Sequence, residues 1–475
     1  MASYRTERDL LGEMEVPADA FYGIHTLRAV QNFPISGLKV PDEFIRALAA
    51  VKQACALANV KAGLMDNRVG GAIVRAAEEI AGGRFADQFI VDAFQGGAGT
   101  STNMNMNEVI ANRAIEILGG VKGDYSLVDP LGHVNLSQST NDVYPTALKV
   151  AAIRLVTTLA EAMARLQGAL QEKERAFAGI LKLGRTEMQD ALPITLGQEF
   201  GAYAEAFARD RWRLFKVEER LRQVNLGGTA IGTGLNAERD YIYTAIEELQ
   251  NITGLGMARA ENMVDVTQNA DVFAEVSGLI KAAAVNLAKV AADLRLLSMG
   301  PRGGLCEIIV PQLQEGSSIM PDKVNPVITE MATEVAYQVM SFDQAITLAV
   351  SSGQLELNAF LPLVTFNLLT GLKLLVNAVT VFRTHCIEGI KANQEKCVGW
   401  LEESLCLATA LAPYIGHDRA GELSRVARTQ GKTIREVALT QGLFTPEELD
   451  VIFSPRELTR PGIAGSKTVK RKKEG

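Results

Sequence analysis

Residues 272–297 read VFAEVSGLIKAAAVNLAKVAADLRLL. Val272, Val276, Leu279, Ala283, Leu287, Val290, Leu294 and Leu297 fall at steps of three and four, so they line one face of a helix. The spacing is close to a heptad, and the alanine-rich run Lys281–Asp293 lets a neighbouring helix approach closely. A helix of roughly 30 residues spans about 45 Å, longer than a compact domain is wide. Such a rod predicts packing against other rods, including those of other subunits.

Four more stretches carry the same pattern. From Thr140 onward, Leu148, Ala152, Leu155, Leu159, Met163, Leu166 and Leu170 define one long helix. Leu196, Phe200, Tyr203 and Phe207, continuing to Leu221, define another. Val327–Leu348 and Glu356–Ile390 complete the set, the last with a bend expected at Pro362. The chain is therefore expected to be mainly α, with a central bundle of five long helices that oligomerises. The apolar stripes are read as packing surface.

The flanks differ. Up to about residue 140 the elements are short: helices are expected over Pro41–Ala62, Val69–Ala81 and Glu108–Leu118. Past residue 396 they shorten again, and Thr445-Pro446-Glu447-Glu448 has the hydroxyl cap, early proline and acids of a helix start. Three domains are expected, at residues 1–140, 141–396 and 397–475. The chain's 475 residues exceed what one ordinary core holds.

Composition excludes several function classes. The net charge of −7 argues against a nucleic-acid partner, because basic residues cluster only in Lys467–Lys473, expected to be a solvated, disordered end. Five cysteines, with no CxxC or metal spacing, predict free thiols in a reducing compartment. No leader peptide is expected, since the first residues are charged, and no apolar run reaches the length of a membrane span. A cytoplasmic protein is expected. No paired histidines suggest zinc, and Gly227–Gly234 lacks the spacing of a dinucleotide loop, so neither metal nor cofactor is expected.

Four polar stretches break the helical pattern. Gly99-Thr100-Ser101-Thr102-Asn103, Ser137-Gln138-Ser139-Thr140-Asn141-Asp142 and Gly184-Arg185-Thr186-Glu187-Met188-Gln189-Asp190 are three of them. The second is expected at the start of the first long helix and the third at the start of the second. Helix N-termini offer unpaired N–H groups and a positive dipole end, a seat for a carboxylate. Helix capping is the plainer reading, but capping needs one such residue, not a row of four. The fourth stretch is the loop Gly316-Ser317-Ser318-Ile319-Met320-Pro321-Asp322-Lys323-Val324-Asn325-Pro326, where hydroxyls, an ammonium and an amide sit between prolines.

These four stretches, in this order and spacing, resemble the shared segments of the aspartase/fumarase superfamily. The resemblance covers nearly the whole chain. Leu10–Asp19, Tyr22–Ala29, Ser137–Asp142 and Pro461–Gly465 place it nearer the aspartase branch than class II fumarase. The resemblance implies a three-domain helical homotetramer with a 20-helix core and active sites built from three subunits. It also implies elimination of ammonia from L-aspartate to give fumarate, through a serine base and an aci-carboxylate intermediate. Ser317 then matches the catalytic base. Thr100, Ser139, Thr140 and Ser318 match the groups that hold the β-carboxylate. Lys323, with Asn325 nearby, matches the α-carboxylate partner, and Asn141, Thr186 and Glu187 match positions around the amine. A histidine base is the competitor, and only His133 adjoins a polar stretch.

Glu187 and Asp322 depart from the family's usual residues, as does Ser351-Ser352-Gly353-Gln354. An acid at 187 would pair with a cationic leaving amine or orient a neighbour. The departures keep three other readings open: an amine-lyase relative releasing a different amine, as ergothionase releases trimethylamine; a class II fumarase; and a catalytically silent helical scaffold.

Overall fold

The computed structural model describes residues 3–470. Strands β1 (Tyr4–Asp9) and β2 (Gly12–Pro17) form an antiparallel hairpin, with Tyr4 opposite Pro17. Helices α1 (Ile24–Asn32), α2 (Asp42–Lys61), α3 (Asn67–Ala81) and α4 (Thr100–Ile117) follow. Then come α5 (Thr140–Ala176), a second hairpin of β3 (Leu181–Thr186) and β4 (Gln189–Thr195), and α6 (Leu196–Leu221). The chain continues through α7 (Arg239–Thr253), α8 (Met263–Gln268), α9 (Asp271–Leu297), α10 (Val327–Ser351) and α11 (Leu361–His385). Shorter helices end it: α12 (Gln394–Glu403), α13 (Ala408–Ile415), α14 (His417–Gln430), α15 (Ile434–Thr440) and α16 (Pro446–Ile452). The protein is mainly α, with the five long helices at the positions their periodicity predicts.

Two compact units divide the chain. One runs to Glu161 and takes in Asp210–Val285 and Val335–Asn377; the other comprises Ala162–Arg209, Asn286–Glu334 and the chain from Ala378 on. In the first unit α2 buries Phe44, Leu48, Val51, Lys52 and Cys55, and Phe44 packs against Tyr144 of α5 at 4.4 Å between ring centroids. Ser277 of α9 donates to Asp343 of α10 at 2.8 Å, and Lys281 pairs with the same carboxylate at 2.6 Å. In the second unit Tyr203 of α6 donates to Asp293 of α9 at 3.0 Å. The C-terminal helices close around Leu411, Tyr414, Leu423, Val437, Leu449 and Ile452. Thr433 with Glu436, and Thr445 with Glu448, form capping boxes at the starts of α15 and α16.

Several expectations are corrected. Helix α4 begins at Thr100, well before Glu108. Its amides are poor helix formers, but Asn103, Asn105 and Asn107 are buried and donate to Thr140, Gln88 and Asn135, so tertiary hydrogen bonds override propensity. Gly99, at φ 93°, precedes this helix. The Tyr144 ring lies 2.2 Å from where a Cβ would sit, so only glycine fits. Helix α11 starts at Leu361, which puts Pro362 in its first turn, where the missing N–H is no loss and no helix precedes it to be bent.

Leu361–Gly389 is apolar enough, at a mean hydropathy of 1.5, to match a membrane span in length and composition. No uninterrupted apolar run marks it, because Thr365, Asn367 and Lys373 break the stretch. In the structure 56% of its most apolar window is buried, with Val364, Leu368, Leu372 and Val379 turned into the protein as in a core helix. Within the basic run, Val469 is buried in the C-terminal core and its N–H donates to Gly465, so this part is folded. The run's residues beyond 470 lie outside the described residues.

Candidate active site

In the first unit, the polar stretch before α5 is held from several sides. Ser139 Oγ accepts the Asn141 N–H at 3.2 Å, and Asp142 Oδ1 accepts the Ser139 N–H at 3.0 Å, a reciprocal cap at the helix start. The other Asp142 oxygen accepts the N–H groups of Gly227 (3.2 Å) and Thr229 (3.0 Å). Asn141 donates to Ala230 O at 2.7 Å. The glycine-rich stretch Gly227–Gly234 therefore packs on this turn as a structural partner. Thr140 Oγ1 accepts from Asn103 Nδ2 at 3.0 Å, which ties the second polar stretch to the first. Thr100 stands exposed at the start of α4, while Gln95 Oε1 takes the Thr102 N–H at 3.1 Å. The structure thus links the Ser139-Thr140-Asn141 turn to α4 and leaves Thr100 and Ser139 partly open to solvent.

Beneath this turn lies a lysine that reading for polar stretches missed. Lys52 of α2 is wholly buried, and its ammonium donates to Asn135 Oδ1 at 2.9 Å and Gln138 Oε1 at 2.8 Å. Burial pulls its pKa down to about 7, while the neighbouring Cys55 and Asp142 push it back up. Asp142 is equally buried; desolvation pushes its carboxyl up to about 7 against the N–H groups of Ser139 and Thr229 and the Lys52 charge. His133 Nδ1 accepts the Asp129 N–H at 2.8 Å within its own turn, a local structural bond.

The second unit carries the loop of Ser317. The Gly316 N–H donates to Lys323 O at 2.7 Å and Asn325 Nδ2 to Gly316 O at 2.8 Å, closing the loop at its base. A Cβ on Gly316 would meet Lys323 O at 2.7 Å, so glycine is required at this neck. Ser317 Oγ accepts two backbone N–H groups, from Ile319 at 3.2 Å and Met320 at 2.9 Å. Hydrogen bonds to the charged form of a group favour that form. These two N–H groups, invisible in the sequence, point at the oxygen where the charge of an alkoxide would sit. Ser317, Ser318 and Lys323 share an open hollow of about 690 Å³, with Lys323 and Asp322 exposed.

Thr186 and Glu187 lie elsewhere than expected. They belong to the tip of the β3–β4 hairpin, with Thr186 paired to Gln189, and α6 begins only at Leu196. Glu187 and Met188 have φ of 53° and 64°, a two-residue primed turn built without glycine or asparagine. They therefore do not sit at the start of α6. Instead the hairpin is rooted by buried charges: Arg185 and Lys182 both pair with Glu307, at 2.8 and 3.0 Å, and Lys182 also pairs with Glu199 at 3.0 Å. The Thr195 hydroxyl accepts the Gln198 N–H at 3.0 Å and caps α6.

The chain belongs to the lyase family. Residues 12–341 match the family model described as lyase, and residues 407–460 match that of the fumarase C C-terminus. Among curated relatives, the aspartate ammonia-lyase of a Bacillus species is 48% identical over 98% of this chain and 99% of its own length. That of Escherichia coli K12 is 44% identical over 96% of each. Among solved structures, a Brucella melitensis fumarate lyase:delta crystallin bound to cobalt superposes with a TM-score of 0.94 at 48% identity, covering 97% of this chain and all of that one. A Schistosoma mansoni class II fumarase gives 0.90 at 33% identity, over 97% and 100%.

Proposed function

We propose that this chain is an aspartate ammonia-lyase, a carbon–nitrogen lyase that eliminates ammonia from L-aspartate to give fumarate. The observation that carries the chemistry is the Ser317 hydroxyl under two backbone N–H donors. Ser317, entering as the alkoxide that its two N–H donors favour, takes the proton from the carbon beside the β-carboxylate and becomes the hydroxyl, which leaves an aci-carboxylate dianion. That electron pair then forms the double bond as the C–N bond breaks, and the amine departs with its own pair. Thr100, Ser139, Thr140 and Ser318 receive the developing charge; one preorganised donor of this kind contributes about 2.7–4 kcal/mol. They are neutral, so the ground state is not bound too tightly. Lys323, with Asn325 holding its loop, supplies a fixed charge for the α-carboxylate. Incubating the protein with aspartate, malate, N-substituted aspartates and ergothioneine, and following fumarate absorbance, tests the reading. Aspartate should be preferred, and a clear preference for malate overturns it.

The active form is a homotetramer with each site shared by three subunits, in a cytoplasmic protein divided at residues 140/141 and 396/397. The near-heptad faces of the long helices support the assembly, and the five free cysteines, four of them buried, support the compartment. Light scattering should give a mass near four times the 51.2 kDa chain. A fully active species of one chain's mass refutes both assembly and shared site.

Glu187 selects a cationic amine from its hairpin tip. Its acid attracts the ammonium of aspartate and repels a departing hydroxide. Glu187→Gln should weaken aspartate turnover several-fold, about 1 kcal/mol for a solvent-exposed ion pair, and leave the inhibition constant of succinate unchanged. Equal losses in both would assign Glu187 to the hairpin's structure.

A further inference from the structure

Burying an ammonium is costly, and at the position of Lys52 a methionine would fill the same space without that cost. The cation sits under a turn, not in an ion pair: its described partners are the side-chain oxygens of Asn135 and Gln138. Both belong to the segment that leads into Ser139 and Thr140. Asn135 Oδ1 also accepts from Asn103 Nδ2 at 3.2 Å and from Asn107 Nδ2 at 3.2 Å. Asn103 Nδ2 in turn donates to Thr140 Oγ1. A continuous chain of hydrogen bonds thus runs from Lys52 through Asn135 and Asn103 to the Thr140 hydroxyl, every link within one unit. Gln138, held by Lys52 through its oxygen, spends its Nε2 on Val134 O at 3.0 Å and Leu136 O at 3.1 Å, which sets the path of the backbone into Ser139.

We propose that Lys52 is a positioning residue for the reaction: its buried ammonium fixes the Ser139–Thr140 turn, through Asn135, Gln138 and Asn103, in the form that receives the substrate carboxylate. The inference rests on the reading of that turn as a carboxylate seat. A cation at this depth has two effects. It orients the amide oxygens inward, so that Asn103 Nδ2 points to the Thr140 oxygen and leaves the Thr140 proton for a ligand. In its protonated form it also places a positive charge under a site that binds an anion. The ionisable groups facing it are Cys55 on its own helix and Asp142 on α5, with Tyr241 of α7 acting on both; α4 and the turn face it with the neutral amides Asn103, Asn107, Asn135 and Gln138. Asp142 holds the same turn from its other side and Asn59 of α2 holds Leu136 and Ser137, so removing Lys52 releases Asn135 and Gln138 without detaching the turn.

The test is Lys52→Met in the full-length enzyme, read as KM for aspartate, kcat, and the inhibition constant of succinate. Both KM and the succinate constant should rise at least about tenfold, the 1.4 kcal/mol of one decade, while kcat changes less than KM. Unchanged constants with only a lower melting temperature would overturn the proposal and assign Lys52 to the fold. Should Lys52→Met not fold, Asn103→Ala decides, because it cuts the chain to Thr140 and leaves the cation in place. A rise of at least about threefold in the succinate constant, a weak hydrogen bond's worth, supports the proposal; no rise overturns it. Ser139→Ala is measured alongside. If it too leaves succinate binding intact, the carboxylate reading of the turn has failed; if it weakens succinate binding while Lys52→Met does not, only the positioning role has.

Discussion

Ser317→Ala is expected to lower kcat for aspartate at least about 10²-fold, the lower bound for a positioned proton-transfer group. A serine hydroxyl is a poor base in water because its conjugate acid–base equilibrium lies far from neutral. Here the Ile319 and Met320 N–H groups point at the oxygen and are fixed by the loop backbone, so no side chain must reorganise when charge develops. The loop itself is clamped at its neck by two bonds among Gly316, Lys323 and Asn325, and neither uses the Ser317 side chain. Removing the hydroxyl should therefore leave the loop's base and the circular dichroism unchanged. KM should move little, since the proton transfer belongs to the transition state and not to substrate binding. Activity within a few-fold of the parent enzyme would end the assignment of Ser317 as base.

The long helices were legible because their information is periodic and redundant. Val272 to Leu297 predicts a helix, and α9 spans Asp271–Leu297, since eight apolar positions at steps of three and four admit no other element. The site was legible only where its residues act through side chains in one local stretch. Ser317, Ser318 and Lys323 do share one hollow. The donors to Ser317 are backbone groups, and no residue type announces them. The Thr186–Gln189 hairpin escaped notice for a related reason: a primed turn is ordinarily marked by asparagine and glycine, and this one is made by Glu187 and Met188. Lys52 left a signal that went unused. It lies among Leu48, Val51 and Cys55 on the buried face of α2, and a lysine within an apolar stripe asks for partners. Asp142 stood inside a polar stretch, but its role depends on Gly227 and Thr229, far along the chain.

Glu307→Gln is expected to cost about 3–5 kcal/mol, the usual effect of removing one partner from a buried ion pair. Glu307 is fully buried and faces two cations, Lys182 and Arg185. Its backbone is fixed on three sides, by its own N–H to Leu297 O at 2.8 Å and by Asn393 N–H (2.9 Å) and Cys397 Sγ (3.5 Å) to its carbonyl. The side chain consequently cannot retreat toward water when its charge is lost. Glu199 remains for Lys182, but burial already pushes that carboxyl up, with Lys182 as the main group holding it down, so one acid is left to balance two cations. Among the described residues, Arg185 then keeps the weaker bond to Leu183 O at 3.3 Å. Because it immediately precedes Thr186 and Glu187, the hairpin tip should loosen, and kcat/KM for aspartate should fall together with stability. The loss is read as a shift of the first denaturant transition at constant slope, since a chain of this size need not unfold in one step. Adding Lys182→Met to Glu307→Gln removes one uncompensated cation, and the double variant should recover at least about 1 kcal/mol, a coupling typical of contacting residues. A single variant that loses less than about 1 kcal/mol, or a double variant that loses more than the two single ones together, would show that the hairpin is held by its strand pairing and not by these charges.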